Sequence, residues 1–238
     1  MRGLRTVSLP ARAPADGAKA AGAAPCLPGA PGAGLAHRPL PTSDSAAAEA
    51  AHTARIGPNA VLQTAAALRA MGGEALAARV FGGAGLGAHL DAPPASMVDE
   101  RVVARLFDRL GEALAPEAAA AIARDSGRRT AAYILANRIP RPAQRVLRLL
   151  PRGPSARLLL MAIRKNGWTF AGSGRVATRA GRPCRIEIAD NPIAVPGCVW
   201  HVAVFEGLFR ALVSPGTTVR ETACCARGAP ACRFELRP

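Results

Sequence analysis

The stretch from Cys198 to Phe234 constrains this chain more than any other, because four of the six cysteines fall inside it. Cys198 opens an apolar segment that reads as a helix through Val213. Val219, Glu221 and Ala223 then alternate with polar neighbours, Phe234 and Leu236 do the same, and Gly228 and Pro230 lie between the two runs. That is the pattern of two short strands joined by a turn. Such a hairpin brings Cys224 and Cys232 together, with Glu221 three residues upstream, and Cys198 arrives from the helix. Thiolates converging from separate elements suit a borderline cation, and zinc takes four ligands tetrahedrally. Cys198, Glu221, Cys224 and Cys232 supply such a set. Spacing alone leaves alternatives open. The cysteines can be small apolar fillers, Cys224 and Cys232 can pair as a disulfide, and His201, on the helical face of Cys198, can replace Glu221. Cys225 alternates away from Cys224 and reads as core or a spare thiol.

The pattern C…E-x-x-C-x3-G-x3-C-x-F, carried by Cys198, Glu221, Cys224, Gly228, Cys232 and Phe234, resembles the vinyl-4-reductase domain. That domain also serves as the sensor of aromatic-responsive bacterial transcription activators, and its fold is similar to the TRAPP vesicle-tethering subunits. The resemblance implies a structural zinc on the three cysteines and selects Glu221 over His201 as fourth ligand. It covers about the last ninety residues.

Half of the 238 residues are hydrophobic, but alanine dominates and aromatics are 4%, so the core is expected to be Ala/Leu/Val-rich and largely helical. The formal net charge of +15 is nearly all arginine, with Lys19 and Lys165 the only lysines. No dense basic run is interleaved with aromatics, so the charge reads as thinly spread and no nucleic-acid partner is expected. The most apolar run, Val195 to Val213, is broken by His201, Glu206 and Arg210, which argues against a spanning helix. Arg2 and Arg5 precede no sustained hydrophobic region, so no secretory signal is expected. The expectation is a cytoplasmic protein, at most peripheral to a membrane.

Residues 1–50 are Ala, Gly, Pro and Arg without periodicity, too poor in bulky apolar groups to offset ordering, and are expected to be a disordered tail containing Cys26. Residues 51–150 read as helices. Val61, Leu62, Ala65 and Leu68 share one face after a turn at Gly57–Asn59, and the glycine cluster Gly82, Gly83, Gly85, Gly87 ends the next helix. Its spacing is not that of a nucleotide loop. Val98, Val102, Leu106 and Leu110 recur at helical spacing, with Asp99 and Glu100 as caps. Pro116 opens a helix that Ser126-Gly127 interrupts and Pro140 ends, and shorter helices follow over Arg141 to Leu150 and Ala156 to Lys165. Residues 151–238 hold the vinyl-4-reductase-type domain, in which WTFAGSGRVATR and CRIEIADNP read as strands. The predicted fold is α+β: a helical N-terminal portion packed on a β-β-α-β-β domain.

ARIGPNAVLQ, the Pro93–Phe107 segment, GRRTAAYILANRIP and WTFAGSG resemble the bacteriochlorophyll 4-vinyl reductase family, the J protein of the photosynthetic pigment cluster. The resemblance implies bacteriochlorophyll biosynthesis, with reduction of the 8-vinyl (4-vinyl) group of a divinyl protochlorophyllide-type tetrapyrrole. It also implies a magnesium-tetrapyrrole partner, other enzymes of that synthesis, and a site peripheral to the photosynthetic membrane. Self-association as a homodimer is left open. Reducing a vinyl group needs a hydride source and a proton, normally from a cofactor. No dinucleotide fingerprint is present, so NADPH or an external electron donor has to supply electrons. An iron–sulfur cluster on Cys198, Cys224, Cys225 and Cys232 would supply them too, but the adjacent cysteines and the matched Glu221 argue against it. Two readings stand: a reductase, or a non-catalytic tetrapyrrole carrier that assists a separate reductase. Trp168, Phe170, Trp200, Phe205 and Phe209 can line an apolar cleft for the pigment. His89 and His201 are candidate axial ligands, and Arg164, Arg175 and Arg179 candidate propionate partners.

Overall fold

The computed structural model describes residues 54–238; the segment 1–50 and Cys26 within it lie outside the described residues. The fold is a mixed one, with helices in its N-terminal part and an antiparallel sheet in its C-terminal part.

Two-residue strands β1 (Arg55–Ile56) and β2 (Val98–Asp99) pair antiparallel. Between them run helix α1 (Asn59–Gly83) and the short helix α2 (Ala88–Asp91). Helix α1 contains both expected N-terminal helices, and they meet at a kink at Gly73, whose φ of 71° suits glycine alone. Helix α3 (Glu100–Ala113) buries Val103, Leu106, Phe107 and Leu110 along one stripe. Asp99 caps it, its carboxylate accepting from the Arg101 amide at 2.8 Å. Glu100 does something else: it accepts from the Ser173 amide (2.7 Å) and hydroxyl (2.9 Å), tying α3 to a loop 73 residues on.

Helix α4 (Pro116–Asn137) starts at a proline, whose missing N–H costs nothing at that position. It passes through Ser126-Gly127 without the expected interruption. Both residues are buried because they serve packing: the Ser126 hydroxyl bonds Thr64 on α1 (2.9 Å). A Cβ on Gly127 would lie 2.5 Å from the Trp200 carbonyl oxygen and 2.7 Å from the Ala203 Cβ. Glycine here lets two helices approach closely, and the sequence signal of a breaker was a packing signal.

Helices α5 (Arg141–Leu149) and α6 (Arg152–Lys165) follow. The expected strand through WTFAGSG is instead helix α7 (Trp168–Ala171), one turn that buries Phe170 and Ala171. Strand β3 begins later (Arg175–Arg179), pairs with β4 (Cys184–Ala189), and leads into helix α8 (Val199–Leu212), then strands β5 (Thr218–Ala223) and β6 (Ala231–Arg237). The sheet order is β3-β4-β6-β5, antiparallel throughout. Ile186 and Ile188 of β4 and Cys232, Phe234 and Leu236 of β6 point to the core face. On the other face, cross-strand charge pairs Arg185–Glu235 and Arg233–Glu187 meet solvent.

Helix α8 organises the interior. Its Phe205 and His201 rings lie 5.3 Å and 5.9 Å from the Phe234 ring of the sheet. Ala203 and Gly207 face Gly127 and Ala131 of α4 on its other side. Phe205, Phe209 and Phe234 are fully buried, each contributing about 2–3 kcal/mol by area removed from water.

Candidate metal centre and apolar pocket

A bulge in β5 builds the cluster. In a regular strand Glu221 and Cys224, three apart, would face opposite sides of the sheet. The β5–β6 register passes from Glu221↔Phe234 to Ala223↔Arg233, so two steps on β5 match one on β6 and Thr222 is the extra residue. The slip restores phase. Glu221 faces inward beside Phe234, and Cys224 turns inward beside Cys232. The chain then closes through a 3-10 turn, Cys225–Arg227, with Gly228 in the left-handed region at φ 81°. Cys198 comes from the α8 end, where it adopts φ 38° and ψ 40°, an uncommon left-handed conformation for a residue with a Cβ. Its amide donates to the Val195 carbonyl at 2.9 Å.

One ligand atom from each of Cys198, Glu221, Cys224 and Cys232 lies within 4.8 Å of the others, so the four together could hold a metal ion. The three cysteines are buried. Glu221 presents one carboxylate oxygen, Oε2, to Arg227, while Oε1 is buried with no hydrogen-bond partner. An orphaned buried carboxylate oxygen beside three thiols is what a cation would satisfy.

The sulfur of Cys232 collects donors. The Cys198 thiol lies at 3.5 Å, the Cys225 amide donates at 3.3 Å and the Asn191 side-chain amide at 3.4 Å. With the Cys198 thiol the largest contribution, these bonds pull the Cys232 thiol down to about 5, against a cysteine's ordinary value near 8.5. Donation to that thiolate, and burial, push Cys198 up; burial pushes Cys224 up. The cluster therefore carries a thiolate before any cation arrives. Asn191 and the Cys225 amide escaped the sequence reading. Cys225 is half-buried and not in a strand, and its contribution to the cluster comes from its backbone rather than its thiol.

His201 stands apart from these ligands. Its Nε2–H donates to the Phe170 carbonyl (3.2 Å) inside a cage of Phe170, Trp200, Phe205 and Phe234 rings. Burial pulls its value down to about 4. The unfolded chain therefore takes up a proton below about pH 6.5, which the native state refuses until about pH 4. Stability from this group is complete above the unfolded value and drains as pH falls through that window. Between pH 7 and pH 5 the loss amounts to about 2 kcal/mol. His201→Gln is expected to flatten the urea-midpoint difference between those two pH values relative to the parent chain. An unchanged difference would place the acid sensitivity elsewhere.

Beside this cage lies an apolar pocket of about 340 Å³, lined by residues that include Trp168, Phe170, Trp200 and Phe205. These four of the expected aromatic pigment contacts thus converge, whereas Phe209 is buried in the core and lines no part of the pocket. His89 sits on α2 and neither it nor His201 is among the lining residues. Arg164, Arg175 and Arg179 are likewise not in the lining; Arg175 pairs with Asp190 at 2.8 Å. The cation that does line it is Arg138, at the end of α4. Two lining residues have a buried polar atom without a partner: Asn59 Oδ1, an acceptor, and Trp200 Nε1, a donor. Asn59 had read only as part of a turn.

The vinyl-4-reductase domain family matches residues 185–238. A protein of Cereibacter sphaeroides named bacteriochlorophyll synthase 23 kDa chain is 49% identical over 190 residues, covering 77% of this chain and 91% of that protein. Its namesake in Rhodobacter capsulatus is 42% identical over 189 residues, 77% of this chain and 87% of that one. This chain belongs to the bacteriochlorophyll synthase 23 kDa chain family. The four candidate metal ligands of this family member all fall within the matched domain. The pocket does not: Asn59, Thr130, Arg138 and Leu159, among others, come from helices before it. The metal cluster is thus a feature of the C-terminal domain match, and the pocket a feature of its junction with α1, α4 and α6.

Proposed function

We propose that this chain serves bacteriochlorophyll biosynthesis by binding a divinyl protochlorophyllide-type magnesium tetrapyrrole and presenting its 8-vinyl edge for reduction, the role of a J-type protein acting as carrier. The observation that carries the reading is the apolar pocket with two unpaired polar atoms, Trp200 Nε1–H and Asn59 Oδ1. A volume of about 340 Å³ is at the low end for small-molecule sites and suits one edge of a macrocycle rather than the whole. Arg138 would meet a propionate, the indole N–H a ring carbonyl, and the Trp168 face the flat conjugated surface. Names of the two relatives support the pathway. Among the lining residues Arg138 is the one ionisable side chain, which favours presentation over proton donation by the pocket itself. Electrons and the proton would come from a separate donor or reductase; direct hydride transfer from NADPH is the competing reading.

The metal in this reading is zinc, held by Cys198, Glu221, Cys224 and Cys232. Four protein donors complete a tetrahedral shell, so its role is structural: it clips the start of α8 to the β5–β6 connection. The Cys225 variants separate backbone from thiol. Cys225→Ser should keep bound zinc at the parent level, because the amide is retained. Cys225→Pro removes the N–H aimed at Cys232, and Cys224 before it is already extended, as a residue preceding proline must be. It should weaken zinc binding by about tenfold or more in chelator competition.

Pigment titration of the purified full-length chain in dilute detergent tests the pocket. Saturable red-shifted absorption and quenched pigment fluorescence are expected, with Asn59→Leu and Arg138→Leu each weakening binding by about tenfold. Equal binding by both variants would remove the pocket from the account.

A further inference from the structure

The charge is not thinly spread over the fold. Between Asp125 and Glu187 the sequence has no acidic residue and fourteen Arg or Lys. Among the described residues, no cation from Arg138 to Lys165 has a carboxylate within ion-pairing distance, whereas cations before and after that stretch are widely paired. Exposed large apolar side chains concentrate in the same place. Of the six in the described chain, Val146, Leu149, Leu158, Met161 and Trp168 lie there, and Met71 alone lies elsewhere. Leu149 is 86% exposed and Trp168 54%.

Helical spacing makes these groups contiguous. Val146 and Leu149 are one turn apart on α5, Leu158 and Met161 one turn apart on α6, and the two helices are joined by Leu150 and Pro151 alone. Arg145 and Arg152 flank the first pair, Arg157, Arg164 and Lys165 the second, all exposed. An open groove of about 1120 Å³ runs alongside, with Arg152, Arg157, Arg182 and Arg237 in its lining. No helix among the described residues is long and apolar enough to cross a membrane.

We propose that α5, α6 and Trp168 form a docking surface for an anionic lipid bilayer, the arginines meeting headgroups while Leu149, Leu158, Met161 and Trp168 enter the interface. Charge complementarity alone would also suit RNA or an acidic protein. The apolar component decides for lipid, because a contiguous set of exposed aliphatic side chains marks a surface that something apolar receives, and cation-flanked apolar faces partition at the headgroup boundary. Each arginine near an anionic surface adds favourable free energy and tryptophan prefers that depth. Ala162 and Trp168 also line the pocket, so docking would set its mouth against the bilayer, where a lipid-soluble pigment resides. That last consequence rests on the pigment reading; the docking surface does not.

The test is co-flotation of the full-length chain with phosphatidylcholine vesicles, with and without phosphatidylglycerol, at physiological salt. Flotation with the anionic vesicles alone is expected, accompanied by a blue shift of tryptophan emission that Trp168→Phe abolishes, since Trp200 is already buried. The double variant Leu158→Ser/Met161→Ser should float about tenfold less, as should Arg152→Gln/Arg157→Gln. Both pairs are exposed, and unchanged circular dichroism and zinc content confirm that each variant is folded. Absence of flotation with anionic vesicles overturns the proposal. So does flotation that the apolar pair leaves unchanged, or RNA retention that the arginine pair weakens while vesicle binding is unaffected. Pigment titration in detergent is independent of vesicles, so a failure there is read separately.

Discussion

Exchanging Cys232 for serine is expected to strip the protein of zinc and lower its melting temperature by about 10 °C or more, the largest effect of any single change at the cluster. The size follows from what the sulfur does. It is the acceptor for Cys198, Asn191 and the Cys225 amide, and it is the group already held as a thiolate. Removing it deletes one of four ligands and leaves two buried donors without a partner, together about 3–5 kcal/mol at roughly 2–4 °C for each. Glu221→Gln, which keeps shape and removes charge, should retain the fold but bind zinc more weakly. Metal analysis and thermal melts on both variants check this. Full zinc occupancy in the Cys232 variant would remove it from the ligand set.

The second large effect is expected far from the metal. Gly127→Val forces a branched side chain against the Trp200 carbonyl oxygen and the Ala203 Cβ, where even a bare Cβ lies 2.5 Å and 2.7 Å away. Neither neighbour is a flexible tip that can swing aside; one is α8 backbone, the other a Cβ fixed to it. Relief requires α8 to move away from α4, at a cost of about 3 kcal/mol or 6–12 °C in melting temperature. Because Cys198 begins α8, that movement should also weaken zinc binding, coupling two sites with no shared contact. Gly127→Ser, smaller but still carrying a Cβ, should show the same two changes to a lesser degree. A stable Gly127→Val protein with normal zinc would show that the α4–α8 crossing is not tight.

The donor types and their rough placement were legible in the sequence, because cysteine spacing, the helix at Cys198 and the alternation of β5 and β6 are local patterns. The bulge was not. Glu221 and Cys224 share a face only because Thr222 is an extra residue in the ladder, and bulge geometry depends on the partner strand's register. Ser126-Gly127 misled for a related reason: a breaker in a propensity scale is a spacer in a packed interface, and only the neighbouring helix says which. Trp168–Ala171 carries β-prone aromatics and threonine, yet the Gly57 amide donates to the Thr169 carbonyl at 2.9 Å and fixes a helical turn against β1. The pocket residues Asn59 and Arg138 lie 79 positions apart and carry no motif. A basic, acid-free stretch was visible in the sequence, but its unpaired character and its coincidence with exposed Leu149, Leu158 and Met161 needed coordinates.

Anaerobic incubation of the purified, zinc-analysed, full-length chain with divinyl protochlorophyllide and NADPH, followed by pigment spectra and product chromatography, tests the carrier reading most directly. The account predicts stoichiometric pigment binding with the 8-vinyl group intact, and reduction only when a separate reductase is supplied. Formation of the 8-ethyl product by this chain and NADPH alone would contradict it and make the protein itself the reductase.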